Sequence, residues 1–379
     1  MFKDTKVEEI YHNVTARYNG YFNARMLMRE VVEETRQDQK DDFNEILTVY
    51  QFPSEKKAKQ LTPKCDKIIE KCTRVLQKHE DSKWSDNCYF LMGKARFYKG
   101  RYSKAIQMFR YVSSKYKERP TAPLSRVWVV KTYLQQGNFT DARAMLTNIQ
   151  SEDGFPKEYQ HKLNLTKAAV AREEGAYEEA CQQLKTAMPA VSDNDLEHRY
   201  RFIMGQLSQA DENYHQAIKT YNKVIAQRTR YELAFHAKIN KAACYKELAD
   251  EAPQQIAKVQ EDLRQMLKDD KNVSYKSRIY FELAQLAWET GETERFLTYL
   301  DEALQTRQAS PEQKSTAYRE LAEYHYDEEN YPIAKAYFDS TFQFISEDAD
   351  NYLALRRKKD VLDELISHKQ TIQLQDSLQ

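Results

Sequence analysis

The side chains of this 379-residue chain that could do chemistry are eight histidines, five cysteines and 26 tyrosines, and their spacing assembles none of the usual reactive sets. A metal site would need a Cys-x-x-Cys or His-x-x-x-His pair, nucleophilic catalysis a Ser or Cys with its base, and phosphate binding a Gly-rich loop after a strand. None of these is present. Tyr324-His325-Tyr326 is the most suggestive cluster, but nothing near it in sequence offers a second ligand or a nucleophile, so it reads as a structural or solvated histidine. Cys65 and Cys72 stand two helical turns apart, and roughly 10 Å of helical rise is too far for a disulfide. With Cys88, Cys181 and Cys244 they read as small buried hydrophobes. No cofactor is expected, and the chain is not read as an enzyme.

The elements that must position any functional side chain are helices, and they repeat. Six hexads carry an aromatic or Thr followed three positions later by a small or hydrophobic residue: Gly100 to Ala105, Gly137 to Ala142, Gly175 to Ala180, Glu212 to Ala217, Gly291 to Phe296 and Glu329 to Ala334. Their last positions step by 37 or 38 residues, with one double step of 79 that holds a degenerate repeat. In each, Gly or an Asn-bearing dipeptide supplies a turn, since both tolerate the left-handed backbone that ends a helix. Nine residues before the aromatic, or before Thr293, comes a small residue again, at Gly93, Ala168, Gly205, Ala284 and Ala322. Two helices cross there, and a larger side chain would overpack the contact at about 1–3 kcal/mol. In the hexad Gly291 to Phe296, Thr293 is smaller than the usual aromatic and Phe296 larger than the usual Ala, as if knob and hole had changed places.

Small, aromatic, small at this spacing resembles the tetratricopeptide repeat, with a period a few residues longer than the usual ~34. The resemblance implies an all-α fold, a right-handed α-solenoid of antiparallel helix pairs, and solenoids serve as binding surfaces. The chain divides into an N-terminal helical segment with a partial repeat (1–60), a solenoid (61–345, with the degenerate repeat near 231–268) and a C-terminal capping helix and tail (346–379). A break is expected at Gln51-Phe52-Pro53-Ser54, a helix start at Thr62-Pro63, a capping box at Ser310-Pro311-Glu312-Gln313, and a closing helix over about 349–368.

Charge and hydropathy narrow the partners. Fifty-eight basic residues balance 58 acidic ones, so no global field favours nucleic acid or an anionic membrane. Arg356-Arg357-Lys358-Lys359 reads as a solvated helix face. No stretch approaches the ~20 apolar residues that span a bilayer, and Met1 to Thr5 lacks a signal-peptide core.

In a tetratricopeptide superhelix the first helix of each pair lines the concave groove. By register, that face here carries Asn87, Phe90, Lys94, Phe97, Lys131, Arg199, Phe202, Gln206, Arg278, Phe281, Gln285, Arg319 and Glu323. Cations and amides among aromatics suit an extended or helical peptide; packing between neighbouring repeats is the competing role for each. The Lys and Asn set with which some such domains clamp a chaperone's C-terminal carboxylate is absent, because Phe90 and Lys94 occupy its first two places.

Two further segments, Tyr11 to Ala24 and Lys83 to Tyr98, together with the tail Thr371 to Leu378, resemble the PorW/SprE family, tetratricopeptide lipoproteins of the Bacteroidota type IX secretion and gliding-motility machinery. The resemblance implies a non-catalytic scaffold or adaptor on the periplasmic face of the outer membrane, bound to other proteins of the machine. It also implies membrane attachment only through a lipid anchor, whose Cys would lie upstream and is replaced here by Met1. The alternative is a cytoplasmic peptide-binding or regulatory tetratricopeptide protein.

Overall fold

The computed structural model describes residues 20–79, 82–151, 154–349 and 351–378, so most of the Tyr11 to Ala24 stretch lies outside the described residues. Among the described residues every regular element is a helix, and most helices pack on their neighbours in the chain, as Ser85–Tyr98 does on Tyr102–Lys115 and Pro311–Asp327 on Tyr331–Phe344. The fold is an all-α solenoid of tetratricopeptide-type helix pairs. The chain forms two compact units, Met1–His236 and Ala237–Gln379.

The first unit holds α1 (Phe22–Asp38), α2 (Glu55–Lys78), α3 (Ser85–Tyr98), α4 (Tyr102–Lys115), α5 (Thr121–Gln135), α6 (Phe139–Ser151), α7 (Gln160–Glu173), α8 (Tyr177–Ala187), α9 (Asn194–Ala210) and α10 (Tyr214–Ala226). The division falls within α11 (Tyr231–Glu247). The second unit continues with α12 (Pro253–Leu267), α13 (Lys276–Glu289), α14 (Thr293–Gln305), α15 (Pro311–Asp327), α16 (Tyr331–Phe344) and α17 (Tyr352–Leu378).

All six hexads fold the same way. The backbone N–H one residue past the left-handed position bonds back to the carbonyl five residues earlier, as from Arg101 to Arg96 at 2.8 Å, Asn213 to Ser208 at 2.8 Å and Glu292 to Ala287 at 2.8 Å. This is the Schellman closure, which satisfies carbonyls the helix end would otherwise strand. The left-handed residue is Gly in four hexads, but in the other two it is Glu212 (φ 57°) and Glu329 (φ 56°), not the Asn that follows. Asn213 instead caps α10, its side chain accepting from Gln216 N.

Helix pairs are locked where a small residue meets a large one 16 positions on. A Cβ added to Gly93 would lie 2.6 Å from the Phe109 ring, and one added to Gly205 would lie 2.5 Å from Tyr221. Only glycine fits beneath those rings. In the unusual hexad, Phe296 is buried and packs its ring on Trp288 at 4.9 Å and Tyr324 at 6.0 Å.

Three expectations about helix limits change. The helix expected to open at Thr62-Pro63 begins at Glu55, capped by the Ser54 side chain accepting from Lys57 N, and Pro63 lies inside it. Burial of Ala58 and Leu61 ahead of the proline offsets the hydrogen bond that Pro63 cannot donate. The expected break of four residues is an irregular segment of 16, Gln39 to Ser54. The closing helix runs ten residues beyond the expected His368, to Leu378, whereas the capping box at Ser310 forms with both its bonds.

Candidate peptide-binding face

The segment Gln39 to Ser54, here called the strap, explains most of the first unit's face. It leaves α1 and returns to α2 at nearly the same point, since Asp38 and Lys57 form an ion pair at 3.4 Å across its two ends. Helix connections usually take 2–8 residues, so a 16-residue detour with closed ends is not needed to join neighbours. It lies instead across the first helices of successive pairs.

Its grip on them is ionic, main-chain and aromatic. Arg199 on α9 donates to the Asp41 carboxylate from Nε (3.1 Å) and Nη2 (2.8 Å), and from Nη1 to the Thr48 carbonyl at 2.5 Å. Arg199 as a whole is 1% exposed, a geometry in which a fork-shaped cation meets a carboxylate and a carbonyl at once. Two turns further along, Gln206 clamps the strap's backbone: its Oε1 accepts from Leu47 N at 3.0 Å and its Nε2 donates to Glu45 O at 2.7 Å. Arg172 on α7 donates to the Ile46 carbonyl, and the Tyr50 and Thr166 hydroxyls share a hydrogen bond at 2.8 Å. Phe43 stacks on His236 at 4.0 Å and meets Phe202 edge-on at 5.5 Å, while Phe52 meets Phe97 edge-on at 4.8 Å.

Of the expected groove residues in this unit, Phe97, Lys131, Arg199, Phe202 and Gln206 therefore face the chain's own segment. Asn87 accepts from the Tyr21 hydroxyl at 3.3 Å. Phe90 packs between repeats, against Phe109 at 5.8 Å and Trp128 at 6.5 Å. Lys94 and Lys131 both lie 5.1 Å from the Trp128 ring centroid, and Lys131 sits 3.9 Å above Tyr50. Burial, then repulsion from Lys94 and Lys162, lowers the Lys131 ammonium to about 7, and burial with repulsion from Lys162 lowers Lys94 to about 8. The strap brings the Tyr50 ring to Lys131 where a carboxylate would neutralise it. A cavity of about 470 Å³ lies beside it, lined by Thr48, Tyr50, Lys57, Gln135, Ala169 and Glu173.

The second unit presents the same register, and no such strap crosses it among the described residues. Arg278 Nε pairs with Glu282 at 3.1 Å, and Arg319 pairs with its neighbour Glu320 at 2.8 Å. Phe281 packs partly against the unit's core, Gln285 Nε2 is buried with no hydrogen-bond partner among the described residues, and Glu323 is part-buried. Trp288, in the place that Phe97 holds in the first unit, is 47% exposed. Burial raises the Glu282 carboxyl against the pull of Arg278 and Lys246.

The tetratricopeptide repeat family model matches residues 277–309, the pair α13 and α14. Residues 277–309 are a tetratricopeptide repeat. No curated protein matches the sequence. Among solved structures the chain is similar to a tetratricopeptide repeat protein from Parabacteroides merdae (10% identity, 89% of this chain and 99% of that one, TM-score 0.34). It is also similar to the C-terminal part of a tetratricopeptide repeat-containing protein from Cytophaga hutchinsonii (14% identity, 80% and 99%, TM-score 0.39). A third is the apo form of the quorum sensor NprR from B. thuringiensis (14% identity, 80% and 88%, TM-score 0.41).

What tetratricopeptide register alone missed is the strap and a pattern within the face. Arg-x-x-Phe-x-x-x-Gln occurs at 199–206 and again at 278–285. Its recurrence at a two-repeat distance is the signal that could have singled it out.

Proposed function

We propose that this chain is a non-catalytic scaffold that holds extended segments of partner proteins on the first-helix face of its tetratricopeptide pairs, within the type IX secretion and gliding machinery at the periplasmic face of the outer membrane. One observation carries the binding chemistry: Arg199 and Gln206 hold the strap by its carboxylate and its main chain, as they would hold a peptide. Attachment to the secretion machinery rests on the likeness of Tyr11 to Ala24 and Lys83 to Tyr98 to the PorW/SprE lipoproteins.

Photoreactive residues at Lys94, Gln285 and Arg319 test this in cells that carry the machinery. Cross-links from Gln285 or Arg319 to secretion or gliding proteins are expected. Cross-links only to unrelated cytoplasmic proteins would sink the secretion assignment, and cross-links only from residues on the second helices would sink the face.

A further inference from the structure

The residues that grip the strap exist twice. Arg278, Phe281 and Gln285 on α13 repeat the spacing of Arg199, Phe202 and Gln206 on α9, and both sets stand at the same offset from a small residue, Ala284 or Gly205. Lys246 holds the place of Arg172. In the first unit each of the three has its own partner on the strap. The Arg takes a carboxylate, the Phe takes the edge of an aromatic ring, and the Gln takes a carbonyl and an N–H of the strap just past the turn that Glu45 N closes on the Asp42 carbonyl. In the second unit the Gln285 Nε2 is buried and lacks a hydrogen-bond partner among the described residues, and an exposed indole, Trp288, stands one turn beyond it.

We infer that the α13 face of the second unit binds a non-helical, turn-forming segment of a partner protein carrying an aspartate two residues ahead of a phenylalanine, the pattern of Asp41 and Phe43 and of the turn between Asp42 and Glu45. This rests on the scaffold proposed above and names its ligand. The aspartate meets the Arg278 guanidinium, the phenylalanine lies against Phe281, and Gln285 closes on the main chain two and four residues later. Two differences make this site weaker than its counterpart. Thr316 stands where the first unit has His236, so the phenylalanine loses a stacking partner, and Arg278 shares its charge with Glu282. Trp288 offers in exchange an aromatic surface for the segment's later apolar residues.

The strap's own sequence is the probe. A fluorescein-labelled peptide of residues 39–54, with a photoreactive phenylalanine at position 43, is titrated into the full chain and then cross-linked. Saturable binding is expected, with cross-links within 276–289, at least a tenfold loss in the Gln285→Ala chain, and a similar loss when the peptide carries Asp41→Ala. Gln285 lies on a part-exposed face, so that variant keeps its fold, which circular dichroism verifies; if it does not fold, the Asp41→Ala peptide on the unaltered chain decides instead. No binding, equal binding by the Asp41→Ala peptide, or cross-links confined to 194–210 through exchange with the strap would overturn the inference. Because the probe is not a secretion protein, its binding stands or falls apart from the cellular cross-links: a bound peptide with no machine partner defeats only the proposed function, and the reverse result defeats only this site.

Discussion

The two units present one face in two states. On α9 the Arg, Phe and Gln are covered by the strap, and Arg199 is removed from water; on α13 the same three stand without such a segment among the described residues, and Trp288 is exposed where Phe97 is fully buried. The difference separates two things usually merged in repeat proteins, the register that makes a binding face and the occupant that fills it. The helices and turns are built alike in both units, so occupancy comes from 16 residues that belong to no repeat.

The largest effect should come from Arg199→Ala. Its side chain and that of Asp41 are 2% and 13% exposed, and breaking a buried pair costs about 3–5 kcal/mol. The lower end, about 3 kcal/mol, is expected because Asp41 sits on irregular chain that can turn to water. Arg319→Ala in the second unit, whose pair with its chain neighbour Glu320 is part-exposed at 29% and 22%, should cost about 1 kcal/mol. Denaturant unfolding of both variants checks this, and equal losses would erase the contrast between a filled and an open face.

Next come the glutamines. Gln206→Ala removes two bonds to the strap and strands Leu47 N and Glu45 O, at about 1–2 kcal/mol, whereas Gln285→Ala should stay within about 0.5 kcal/mol. Hydrogen exchange sharpens the first half: the Leu47 amide should lose protection in Gln206→Ala while the amides of α9 keep theirs. If Leu47 stayed protected, the strap would be held by packing and not by the clamp.

The repeats are legible because their causes are local. A glycine at φ near +70° and a 3.6-residue apolar stripe are properties of neighbouring residues. Even there, propensity favours Asn as the left-handed residue, while the chain puts Glu at that position and spends Asn on the cap. The start of α2 escapes a local reading because proline favours a first turn, and only the burial of Ala58 and Leu61 explains a helix that begins eight residues earlier. The face is legible as a register, but its state is not. That Arg199 meets Asp41 depends on a contact across 158 positions, which no periodicity encodes.

The titrations of the two units should run in opposite directions. Lys131, facing Lys94, Lys162, His161 and the Tyr50 and Trp128 rings, titrates near 7 in the fold against 10.5 in the unfolded chain. Between those values the unfolded chain binds more protons, so this contribution to stability rises with pH. Glu282 is raised above 4.5 by burial; above that pH the unfolded chain has lost a proton that the fold still holds, and stability falls as pH rises. Lys131→Met should therefore raise the melting temperature at pH 7 by roughly 2–4 °C and flatten the rise towards pH 10, leaving the second unit's slope intact. Melting curves across pH 5–10 test both, and an unchanged alkaline slope would mean that Lys131 keeps its charge in the fold.

The smallest effect asks whether the turns are indifferent to what covers the face. Glu212 in the first unit and Glu329 in the second hold left-handed backbone at φ 57° and 56°, which costs a side-chain-bearing residue about 1–2 kcal/mol. Glycine removes that strain but gives back part of the gain by loosening the unfolded chain. A net stabilisation of about 0.5–1 kcal/mol is expected for Glu212→Gly and, equally, for Glu329→Gly. Equal gains would show that the turn is one device used in both units, independent of the strap. A gain at Glu329 with none at Glu212 would mean that the covered unit has already relieved the strain through contacts its open counterpart lacks, and the separation of register from occupancy would no longer hold.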